Sequence, residues 1–129
     1  MELPKILFHV TDKKFLKSIK KEGLIPFKNP QYPEISKPKY VYLGKESTAL
    51  NWGAPKSSKH DRVLIKIRTA LLDKTKIAAD DNLYGHNSYQ YEGEIPKKAL
   101  MISKKKIETD GCEYWMNKFA DKKKETVTV

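Results

Sequence analysis

Apolar positions crowd the start of the chain: Lys5 to Val10 carries Ile6, Leu7, Phe8 and Val10 and predicts a first strand ending at Thr11 and Asp12. Either polar residue suits the cap of a following helix, because a short side-chain oxygen accepts from the exposed first-turn amides. From Lys13 to Glu22 the period lengthens. Phe15, Leu16 and Ile19 form one stripe, lysines fill the outer face, and Gly23 supplies the stop. Lys39 to Leu43 predicts a second strand, with Tyr40 and Tyr42 on one face and Val41 on the other. Gly44 breaks that run, Glu46 to Trp52 predicts a short helix, and Gly53 closes it. Arg62 to Arg68 contains VLIKI and is the best candidate for a central strand.

The remaining segments are less regular. Four prolines between Pro26 and Pro38 predict a loop across the surface. Leu71 to Asp81 reads as a connection at the sheet edge, anchored by Ile77, and Asn82 to Ser88 reads as an exposed loop around Gly85 and His86. Tyr89 to Glu94 predicts a strand whose alternation puts Tyr89 and Tyr91 on one face and Gln90, Glu92 and Glu94 on the other. Ile95-Pro96 ends or redirects it. Ala99 to Ile102 is a further short strand, Lys104 to Lys106 is a basic patch, and Tyr114, Trp115, Met116 and Phe119 predict an aromatic helix or turn laid on the core. Short strands mixed with short helices predict an α+β fold. With 129 residues and no internal repeat or linker, a single domain over 1–129 is expected.

Composition narrows the function classes. Hydrophobic residues make up 39% and charged residues 33%, enough for a modest core under a heavily solvated surface. No apolar run approaches the roughly 20 residues that cross a bilayer, and the opening segment lacks a secretory pattern. A cytoplasmic location without membrane association is therefore expected. A single cysteine, Cys112, fits a reducing compartment and reads as a partly buried thiol. Lys plus Arg number 26 against 16 Asp plus Glu, a formal charge of +10. That excess attracts DNA, RNA, a nucleotide or an acidic protein; the field selects sign, not identity.

Candidate chemistry rests on few side chains. In an extended segment His9 and Thr11 share a face, so an imidazole and a hydroxyl can meet one polar ligand edge; equally, His9 bonds to backbone while Thr11 caps the helix. Tyr42 and Trp52 can enclose a flat ring or serve as core aromatics. Glu92 and Glu94, about 7 Å apart on an extended strand, can support a cationic transition state or form a solvated face. His9, His60 and His86 are widely spaced and HExxH is missing, so no metal site is expected. Neither GxGxxG nor GxxxxGK[ST] occurs, so a bound nucleotide needs another cradle.

Taken in order, LFHVTDKKFLKSIKKEGLIP, YVYLGKESTALNWG, RVLIKI and YQYEGEIPKKAL resemble the small bacterial and viral members of the ADP-ribosyltransferase superfamily. The resemblance implies a split, mostly antiparallel β core with short flanking helices and NAD as ligand. In the His-Tyr-Glu branch it implies that His9 bonds the ribose with Val10 and Thr11 beside it. Tyr42 would stack on nicotinamide near Gly44, and Trp52 would close the other face. It also implies a late-strand glutamate, Glu92 or alternatively Glu94, that favours an oxocarbenium-like transition state. A stricter offset from the Gly-Glu-Ile-Pro turn falls between His86 and Gln90, where no glutamate stands. The implied activity is ADP-ribosyl transfer to a nucleic-acid or protein acceptor, with RNA 2'-phosphotransfer or non-catalytic NAD or nucleic-acid binding as alternatives. Oligomeric state is not legible.

Overall fold

The computed structural model describes residues 3–26, 39–54, 57–79 and 88–108, with Trp52 described only through its main chain. Residues 27–38 of the loop expected between Pro26 and Pro38, the Gly85-His86 segment, Cys112 and the C-terminal aromatic stretch lie outside these residues. Among the described residues eight helices and strands follow in chain order. They are β1 (Ile6–Asp12), α1 (Leu16–Glu22), β2 (Tyr40–Gly44), α2 (Glu46–Trp52), β3 (Arg62–Arg68), β4 (Ile77–Ala79), β5 (Ser88–Glu92) and β6 (Leu100–Ile102). Short 3₁₀ turns occupy Lys13–Phe15, Thr69–Leu71, Lys74–Lys76 and Lys97–Ala99.

The strands form one antiparallel sheet in the order β4-β5-β2-β1-β3-β6. The architecture is therefore α+β. β1 and β3 pair along their whole length, from Ile6 opposite Arg68 to Asp12 opposite Arg62. Cross-strand partners share a face, so Leu7, His9 and Thr11 stand with Ile67, Ile65 and Val63, while Phe8 and Val10 stand with Lys66 and Leu64. Leu7, Ile65, Ile67, Val41, Leu43, Tyr91 and Ile77 build the larger core with Ile19 of α1. Val10 and Leu64 build a smaller one with Ala49 of α2. The helices thus cover opposite faces.

Local chemistry fixes the joints between these elements. Asp12, not Thr11, caps the helical segment: its carboxylate accepts from the Lys14 amide at 2.9 Å. The expected single helix opens as a 3₁₀ turn and becomes α-helical only at Leu16. Gly23 ends it at φ 83, and a side chain there would collide with the Ile95 carbonyl. That close approach joins Leu24 and Ile95 by reciprocal backbone bonds of 3.0 and 2.9 Å. At the end of α2, a β-carbon on Gly53 would lie 2.5 Å from that of Val10, so only glycine lets the helix terminus sit on β1. Buried Arg62 donates from Nε to the Gly53 carbonyl at 3.2 Å and from its guanidinium to the Leu50 carbonyl, covering orphan acceptors at a negative helix end.

Three expectations need correction. Ser88, expected to end an exposed loop, is buried and opens β5. The late strand ends at Glu92, because Gly93 turns at φ 99, so Glu92 and Glu94 are not a pair on one strand face. Ile77 does more than anchor a connection: it starts the edge strand β4, opposite Tyr91.

Candidate functional site

β2 touches its two neighbours unequally. With β5 it shares five paired positions, Tyr40 to Gly44 against Glu92 to Ser88, whereas with β1 it shares one, Phe8 opposite Gly44. Neither strand continues this ladder among the described residues, so the sheet divides between them beyond Phe8. His9 is the next residue.

Its half-buried imidazole bridges the division, with Nδ1 2.8 Å from the Tyr42 carbonyl. A carbonyl oxygen only accepts, so Nδ1 carries the proton and Nε2 becomes the acceptor of the neutral ring. Burial lowers the His9 pKa below its ordinary 6.5, outweighing the carbonyl bond that favours the charged form. The neutral ring can therefore accept a hydrogen bond from a ligand hydroxyl.

Tyr42 points by alternation to the face that carries Gly44, and its cross-strand partner there is Gln90. Tyr40 and Glu92 form the next pair on the same face. His9 belongs by the same alternation to the opposite face, so imidazole and Tyr42 side chain are contributed from two sides of the sheet. The link between them is the bond to the main chain of β2.

The other candidates separate by environment. Thr11 is buried on the His9 face, and Val10 is packed into the smaller core, which leaves it only main-chain atoms to offer a ligand. Gly44 pairs with Phe8 on one side and Ser88 on the other. The Trp52 side chain lies outside the described structure. Glu92 is exposed at the end of β5, about 7 Å along the strand from Gln90.

Comparison with protein-family models and with curated proteins returns no match. The site must be read from its own chemistry.

Gln90 stands out in that reading. Only 6% exposed, it keeps its side-chain carbonyl Oε1 buried with no hydrogen-bond partner among the described residues. Buried acceptors are nearly always paired, so an orphan asks for an explanation. Strand alternation already puts Gln90 beside Glu92, but glutamine is usually exposed and its burial leaves no mark in the sequence. A cavity of about 350 Å³ lies on the smaller core, over Leu50, Leu64 and Ile107. Its rim includes Glu46 and Lys105, paired at 3.1 Å. No helix among the described residues is long and apolar enough to cross a membrane.

Proposed function

We propose that the chain binds NAD at the division between β1 and β2 and transfers ADP-ribose to a nucleic-acid or protein acceptor. The observation that carries this reading is the pinned imidazole: His9 is held by the Tyr42 carbonyl in the tautomer whose Nε2 accepts from a hydroxyl. The chain's resemblance to ADP-ribosyltransferases of the His-Tyr-Glu type supports the same ligand. His9 Nε2 on one face and Gln90 Oε1 on the other suit the hydroxyl and amide donors of an NAD molecule that passes through the division between β1 and β2.

NAD bound there supplies an N-glycosidic bond whose cleavage releases nicotinamide. His9 orients the sugar by accepting from one of its hydroxyls. Tyr42 offers an aromatic surface to a flat ring. Glu92 contributes a negative charge that favours positive charge developing at the sugar.

Labelled NAD incubated separately with DNA, RNA and protein mixtures tests the proposal. Label on one polymer class, lost in Glu92→Gln, is the expected result. Loss of the 2'-phosphate from RNA onto the labelled ADP-ribose, with release of nicotinamide and no polymer labelling, would shift the reading to RNA 2'-phosphotransfer. NAD binding without transfer is a second reading, favoured by the exposure of Glu92 at the strand end. Saturable binding with neither product would select it.

A further inference from the structure

A buried carbonyl without a donor costs free energy in the unliganded protein, and that cost is recovered when a ligand brings the donor. Gln90 is in this position. Its Oε1 is buried, unpartnered among the described residues, and borne on the strand position directly across from Tyr42. A hydrophobic side chain of the same length would fill the space without the polar penalty, so packing does not account for the amide.

Across an antiparallel pair, facing side chains start about 5 Å apart, the reach of a single hydrogen bond beyond an aromatic edge. A ring stacked on Tyr42 therefore presents its substituents to Gln90. With its oxygen turned to the ring, the Gln90 amide accepts from an N–H donor and leaves a carboxylate unpaired, because two acceptors face to face share no proton. We infer that Gln90 is a specificity-determining residue that accepts a hydrogen bond from the carboxamide N–H of a nicotinamide ring held against Tyr42. The inference rests on the NAD reading above and adds which ring it takes.

Three dinucleotides separate the possibilities: NAD, nicotinic acid adenine dinucleotide, whose carboxylate lacks the donor, and nicotinamide hypoxanthine dinucleotide, whose purine lacks the amine. Calorimetric titration of the wild-type chain is expected to show the nicotinic acid form binding about tenfold more weakly than the other two. Gln90→Met, close in length and unbranched, should bind NAD about tenfold more weakly and lose the preference for amide over acid. Without ligand the same variant should melt higher than wild type, since the orphan acceptor is gone; a purely structural glutamine would give a lower melting temperature. Gln90→Glu keeps an acceptor at that position and removes the amide's own donor, so it should retain the preference for amide over acid. Equal binding of all three dinucleotides by wild type, or an amide preference that survives Gln90→Met, overturns the assignment while leaving NAD binding intact. Discrimination at the purine instead also overturns it. Failure of wild type to bind any of the three removes the NAD reading and this inference together.

Discussion

His9 is the residue whose protonation the fold resists. Its pKa is lowered from 6.5 by burial, so the unfolded chain takes up a proton before the folded one as pH falls. The stability associated with the neutral ring is complete above about pH 6.5 and is lost as pH drops toward the folded pKa. Urea unfolding at pH 7.5 and pH 5.5 should show a lower midpoint at the acid pH, and His9→Gln should shrink the difference. A difference that persists unchanged in the variant would assign the acid sensitivity elsewhere, though not to Asp73. That carboxylate is held below its ordinary range by bonds from the Thr75 hydroxyl and amide, and it loses its contribution only at lower pH. Ligand binding should follow the same sense: NAD affinity falls as pH drops through the lowered His9 pKa of the folded protein, because a protonated Nε2 no longer accepts. At this scale the sequence showed which side chains share a strand face but not their burial. His9 and Gln90 matter because one is tied to a carbonyl across a break in the sheet and the other is left without a donor, and both facts depend on a strand from elsewhere in the chain.

Elements hold their positions through a few joints whose loss should be measurable. Arg62 links β3 to the end of α2, and Arg62→Met removes a charged donor from the Gly53 and Leu50 carbonyls. Hydrogen bonds to charged groups contribute about 1.5–3 kcal/mol each, so a destabilisation of about 3 kcal/mol is expected in chemical unfolding. A loss below about 1 kcal/mol would mean that solvent or another donor reaches those carbonyls. Gly23→Ala tests the other joint. Its φ of 83 and the Ile95 carbonyl in its path both oppose a side chain, and a loss of about 2 kcal/mol or more is expected with the Leu24–Ile95 bridge weakened. Hydrogen exchange at the Leu24 and Ile95 amides would report that weakening directly. The boundaries of α2 and β3 agree with those read from the sequence because glycines and a continuous apolar run mark them locally. β4 escaped that reading because its three residues, Ile-Ala-Ala, are extended only by pairing with β5. Sheet order is equally illegible: β2 and β3 flank β1 through contacts that no local pattern encodes, and the single pairing that opens the sheet is a property of two strands together.

The whole molecule carries a net +10, a figure that already counts the acidic partners in exposed ion pairs such as Lys13–Asp61 at 3.2 Å and Lys105–Glu46 at 3.1 Å. Such a field draws any polyanion and does so by releasing the polymer's condensed counterions, which makes the attraction steeply salt-dependent. A dinucleotide with two phosphates condenses no such atmosphere, so its binding is affected by ordinary screening alone. The two partners are therefore separable by salt. For a single strand engaged through about four phosphates, affinity should fall roughly 50-fold between 50 and 200 mM salt, following a slope near −0.7 per contact. NAD affinity should change only a few-fold over the same range. Measuring labelled transfer across that series then tests the acceptor class: transfer to nucleic acid should collapse in parallel with polymer binding, whereas transfer to a protein recognised by shape and apolar contact should follow NAD occupancy. If polymer affinity proves indifferent to salt, the positive surface is solvated charge that keeps the chain dispersed, and the acceptor is not chosen by the field.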